Sequence, residues 1–135
     1  MKSIKLINEF IIQGMKINFT KLNHVQITIP IGQEENARNF YSNIIGLKEI
    51  EKPNELKTNG GIWFEIADIQ LHIGIEEIQN NSKRHPAFEV ENLAKIKEYL
   101  KENGIQIRED IPVLGYNRLS FFDPFGNRIE LLEKV

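Results

Sequence analysis

One order of periodicities occurs twice in this 135-residue chain. "LNHVQITI" (22–29) alternates apolar and polar residues and predicts a strand. "GQEENARNFYSNIIG" (32–46) predicts a helix with Ala37, Phe40, Tyr41 and Ile44 as its apolar stripe and Gly46 as its C-cap. A short strand "LKEIE", a turn-rich loop "PNELKTNGG", and a hairpin of "IWFEI" and "IQLHIGI" around Ala67 and Asp68 complete the unit. The second half runs in the same order: a strand "HPAFEV" (85–90), a helix "NLAKIKEYLKENG" (92–104) capped by Asn92 and Gly104, then a short strand "IQIRE" and the loop "DIPVLG". "YNRLSFF" and "NRIELLE" follow around the turn "DPFGN". Tyr41 precedes Gly46 by five residues, as Tyr99 precedes Gly104, and Ile69-Gln70-Leu71 matches Ile129-Glu130-Leu131. An internal repeat restricts the fold more than any single propensity does. The expected architecture is an α+β domain over 21–135, a β-α-β-β-β module used twice, with modules at about 21–78 and 84–134.

Strand alternation divides the side chains between two faces. Val25, Ile27 and Ile29 oppose His24, Gln26 and Thr28; Pro86, Phe88 and Val90 oppose His85, Ala87 and Glu89. Ile69, Leu71, Ile73 and Ile75 oppose Gln70 and His72, and Ile129 and Leu131 oppose Arg128, Glu130 and Leu132. The apolar faces suit the helices, and a solvated sheet would explain the polar ones equally well. The repeat, however, sets His24 against His85 near the start of each first strand, and Gln70 against Glu130 in each last one. A pseudo-two-fold axis would bring these four side chains toward one point. His, His and Glu together form a ligand set for a metal with open coordination positions.

Composition narrows the alternatives. A formal net charge of −2 gives no electrostatic footprint for nucleic acid or an anionic membrane. No cysteine is present, so disulfides, thiolate nucleophiles and Cys-bound zinc are excluded, and a cytoplasmic location is expected. No run approaches the roughly 18 apolar residues of a membrane span. Residues 1–20 read as an N-terminal extension with a short amphipathic helix, Ser3 as cap and Ile4, Ile7, Ile11 and Met15 near one face; a natural start at Met15 is the other reading.

The stretches "LNHVQITIP", "ARNFYSNIIGL", "IQLHIGI", "HPAFEVENL" and "FFDPFGNRIELLE" resemble the vicinal oxygen chelate superfamily, which includes glyoxalase I, fosfomycin-resistance proteins, bleomycin-resistance proteins and extradiol dioxygenases. The resemblance covers about residues 20–134. It implies two tandem β-α-β-β-β modules forming a curved mixed sheet around a cleft, with helices on the outer face. It also implies a divalent metal held by His24, His85 and Glu130, with Zn, Ni, Mn, Fe and Co all compatible. The fourth position falls on Gln70, where glyoxalase I has a glutamate; a neutral amide accepts a proton poorly, which argues against an ordinary glyoxalase I. His72, two residues further on the same face, is a candidate general base, substrate partner or additional ligand, or a cleft-lining histidine without chemistry. Gln26 and Glu89 share the polar face, and Arg118, Arg128 and Tyr116 read as ordinary surface residues, contact with an anionic or oxygenated substrate being the alternative for each.

The implied function is a metal-dependent enzyme of lyase, thiol-transferase or dioxygenase type acting on a small oxygenated molecule chelated by the metal. Ligation needs neutral imidazoles, so metal affinity should fall as pH drops through the histidine range. The alternative is a metal-free binding module of the bleomycin-resistance type that sequesters a small molecule. The resemblance also implies a homodimer, although a chain holding both modules could close its own cleft.

Overall fold

The computed structural model of the protein describes residues 16–77, 83–111 and 113–135. The N-terminal helix expected up to Met15 lies outside them, and residues 16–23 have no regular secondary structure. The strands β1 (His24–Ile29), β2 (Lys48–Ile50), β3 (Ile62–Ile66) and β4 (Ile69–Ile75) form one four-stranded sheet in the order β1-β4-β3-β2. The strands β5 (Ala87–Glu89), β6 (Ile107–Glu109), β7 (Tyr116–Phe122) and β8 (Arg128–Lys134) form a second, in the order β5-β8-β7-β6. In each sheet the first strand pairs in parallel with the last, and the other pairs are antiparallel. Both modules therefore share one topology, and each needs a crossover connection between its parallel strands.

A helix occupies each crossover. The first, α1 (Glu34–Arg38), widens into a π-helical segment at Asn39–Ile44, and α2 (Leu93–Glu102) occupies the second. The apolar stripe of the first helix buries Ala37, Phe40 and Tyr41 in one core with Ile27, Ile29, Phe64, Leu71 and Ile73 of the first sheet and Leu119, Phe121 and Ile129 of the second. Phe40 lies 6.3 Å from Phe121, and Tyr41 lies 6.0 Å from Phe64, so this helix segment touches both sheets. The Tyr41 hydroxyl donates to the Asp123 carboxylate at 2.6 Å; burial, and then that charge, push the phenol well above its usual range. Asp123 also accepts the backbone N–H groups of Phe125 and Asn127, and the Asn127 amide donates to the Thr28 carbonyl at 2.8 Å. The "DPFGN" turn is thus tied to the first module.

Three local expectations change. The fifth strand is shorter than 85–90, leaving His85 and Pro86 ahead of it. A 3-10 helix, Asn54–Asn59, stands where the composition reads as a loop. Asn92 does not cap α2 with its side chain; it sits in the left-handed region, and the Glu133 carboxylate of β8 accepts the N–H groups of Asn92 at 2.7 Å and Leu93 at 3.3 Å. A carboxylate at a helix start satisfies free amides and suits the helix dipole. Among the described residues no helix is long and apolar enough to cross a membrane.

Candidate functional site

In the first sheet, the register places His24 beside Gln70 and Trp63 beside His72. Their rings stand in a row across three strands: Trp63 stacks on His72 at 3.6 Å, and His72 on His24 at 4.0 Å. His72 is 5% exposed. Its Nε2 lies 2.9 Å from the Gln70 Oε1, which makes it the donor when that oxygen accepts. Burial first, then the neighbouring His24 and Lys52, push the His72 imidazole down to about 4. A ring so reluctant to take a proton is a weak general base at neutral pH and a good neutral hydrogen-bond donor. His24 is exposed on the edge strand, with Nδ1 2.8 Å from the Asn23 amide oxygen.

In the second sheet, His85 reaches back over β8. Its Nδ1 lies 2.7 Å from the Lys83 carbonyl oxygen, which can only accept, so Nδ1 carries a proton and, in the neutral ring, Nε2 presents a lone pair. That Nε2 faces the Glu130 Oε1 at 3.7 Å. Glu130 is 6% exposed, and the same Oε1 accepts from Arg118 Nη2 at 2.7 Å. Behind it, Asp110 lies 3.4 Å from Arg128, 3.7 Å from Arg108 and 3.9 Å from Arg118. Arg118 and Arg128 are therefore half-buried parts of an ionic cluster around Asp110, rather than ordinary surface arginines.

The four repeat-related side chains thus fall into two groups, His24 with Gln70, where His72 joins them, and His85 with Glu130. Among the described residues no three His, Asp or Glu side chains gather as a metal-holding group. The register also shifts the expected equivalence. His24 is opposite Gln70, but Ala87 is opposite Glu130, and the adjoining bonds agree: Gln70 donates to Asn23 and Glu130 to Pro86. His85 thus stands two residues ahead of the true counterpart of His24. A two-residue offset preserves the face, because strand side chains repeat with period two. Trp63, Lys83 and Asp110 were not singled out from sequence. Trp63 alone had a signal, since a turn at Ala67 and Asp68 sets it opposite His72.

Two of the expected donors, His85 and Glu130, have a spacing that suits a divalent ion. Two ligand atoms each about 2.1 Å from one ion lie about 3.0–4.2 Å apart, depending on the angle. The 3.7 Å between His85 Nε2 and Glu130 Oε1 falls in that range. With the imidazole neutral, two electron-pair donors face each other there, and a carbonyl holds the tautomer from behind, as is usual for a ligating histidine.

Paired modules of this topology define an α+β scaffold built from one β-α-β-β-β unit used twice. Residues 21–131 match the Glyoxalase/Bleomycin resistance protein/Dioxygenase superfamily, and the chain belongs to it. A structure from Bacillus anthracis, described as of the glyoxalase family, is 43% identical with a TM-score of 0.84, covering 90% of this chain and 100% of that one. "Glyoxylase I 4" of Arabidopsis thaliana is 27% identical over 130 residues, 87% of this chain and 73% of that protein. The fosfomycin resistance protein FosX of Listeria monocytogenes, in a complex with Mn(II) and sulfate, shares the fold at a TM-score of 0.68 and 22% identity, over 87% of this chain and 93% of that one.

Proposed function

We propose that this chain is a metal-dependent enzyme of its superfamily, in which His24, His85 and Glu130 hold a divalent ion that accepts two oxygens of a small substrate. The observation that carries the reading is the His85–Glu130 pair, an imidazole Nε2 and a carboxylate facing each other at 3.7 Å with the imidazole Nδ1 turned to the Lys83 carbonyl, which leaves a lone pair on Nε2 in the neutral ring. A cation between them resolves the opposition. When bound, the ion supplies Lewis-acid stabilisation of negative charge developing on substrate oxygens. The chain's own residues hold and orient. His72 and Trp63 back the His24 ring, Gln70 takes the His72 proton in a hydrogen bond, and Arg118 compensates Glu130. Nitrogen and carboxylate donors suit Zn, Ni, Mn, Fe or Co. A lyase, thiol-transferase or dioxygenase reaction would draw on the same arrangement.

Among the described residues β1 and β5 are edge strands, each with one side unpaired in its sheet. A second copy is therefore proposed to bring its His24 to the His85–Glu130 pair, making the active unit a homodimer. Arg118 on Glu130 favours a second reading, a metal-free module that sequesters a small molecule, because that carboxylate already has a cation. Metal analysis of protein purified without a His tag separates the two. About one ion per chain is expected in the wild type and none in the His85→Ala, Glu130→Ala double variant. Equal and negligible metal in both would overturn the enzyme reading in favour of the binding module.

A further inference from the structure

We infer that Arg118 is a movable counter-ion that sets how tightly Glu130 holds a divalent cation, and that Asp110 is the seat to which it moves. The inference rests on the metal-dependent reading above. Arg118 Nη2 lies 2.7 Å from Glu130 Oε1 and 3.9 Å from Asp110 Oδ2. The first oxygen is the one that faces His85. The second is buried and has no hydrogen-bond partner among the described residues, while the other Asp110 oxygen lies 3.4 Å from Arg128 and 3.7 Å from Arg108. One guanidinium nitrogen therefore stands between two carboxylates, bonded to the first and just beyond hydrogen-bond reach of the second. Its Nη1 donates to the carbonyl of Ile111, next in the chain after Asp110, at 3.1 Å. That bond is a pivot, keeping the group in place while Nη2 changes partner.

The two seats suit two states of charge. Without a cation, a buried Glu130 carboxylate needs a positive partner, and Arg118 is that partner. With a divalent ion on the same oxygen, the guanidinium would face like charge at contact distance. Turning toward Asp110 Oδ2 relieves the repulsion and satisfies the buried oxygen. Cation binding at Glu130 and pairing of Arg118 with Asp110 thus favour each other. Arg118 acts as a positioning residue through Glu130, and Asp110 acts through Arg118.

The test is Mn(II) binding by the full chain, followed by the electron paramagnetic resonance signal of the free ion. Arg118→Met removes the competing charge and is expected to tighten binding about tenfold, and Arg118→Gln, which leaves a polar side chain, should shift it the same way. Asp110→Asn should weaken binding by a similar factor, and in the Arg118→Gln background it should have little further effect. Weaker or unchanged binding in both Arg118 variants would show that the arginine orients Glu130 for the ion or is irrelevant to it, and either overturns the inference. An undiminished Asp110→Asn effect without Arg118 overturns Asp110 as the seat. A wild-type protein that binds no Mn(II) overturns the metal reading itself and the inference with it, a result distinct from binding that the substitutions leave unmoved.

Discussion

His72 sits between Trp63 and His24 with its Nε2 on Gln70, and these contacts decide which proton state the folded chain keeps. The folded imidazole titrates at about 4, against an ordinary value of 6.5, chiefly because it is buried. Between those values the unfolded chain binds a proton that the folded chain refuses, so stability falls as pH drops from about 6.5 to about 4. The full window corresponds to about 3 kcal/mol, as an order of magnitude. Urea unfolding at pH 7 and at pH 4.5 should show this loss, and His72→Gln should flatten much of it. An unchanged pH slope in that variant would assign the loss to other groups. The sequence placed His72 on the correct face but left its role open. Its proton affinity depends on burial, His24 and Lys52, which come from strand pairing and packing rather than from adjacent residues.

At the scale of elements, the repeat made the topology legible, because periods of two and 3.6 are local properties of the chain. The cap of α2 was not legible, since Glu133 lies 41 positions beyond Asn92 and only the β5–β8 pairing brings it near. The "NGG" before β3 holds a tighter constraint. Gly61 has φ +84, and a Cβ there would meet the Ile73 backbone carbonyl oxygen at 2.1 Å. Neither a rotamer change nor a small side-chain shift relieves a clash with a sheet carbonyl. Gly61→Ala should therefore displace the start of β3 from β4 and cost at least about 2 kcal/mol, strain and clash together. Gly46 is the control: its φ is +91, but no described residue lies within 4 Å of an added Cβ, so Gly46→Ala should cost about 1 kcal/mol of backbone strain alone. Denaturation midpoints of the two variants compare them directly. Equal losses would mean that the Ile73 contact yields without cost. Because β3 and β4 carry Trp63 and His72, Gly61→Ala should also alter the fluorescence of Trp63, the single tryptophan, whereas Gly46→Ala should not.

Across the whole molecule, alternation alone set His24, His85 and Glu130 on polar faces, and the family resemblance proposed them as one ligand set. Sequence could not show how the two faces meet, since a strand pattern specifies which side a residue occupies but not which sheet lies opposite. The chain pairs His85 with Glu130 in one sheet and stacks His24 on His72 in the other. If one site takes His24 from one copy and His85 and Glu130 from its partner, ligand variants must complement one another. His24→Ala and His85→Ala proteins should each bind little Mn(II) alone. After mixing and subunit exchange, each hybrid dimer has one site with both defects and one with none. With random exchange about half the dimers are hybrid, so about a quarter of the wild-type sites should return. If each chain completed its own site, every site would retain one defect and mixing would restore nothing. A return of Mn(II) capacity on mixing, absent when His85→Ala is mixed with Glu130→Ala, would therefore locate the boundary of the site between His24 and the His85–Glu130 pair.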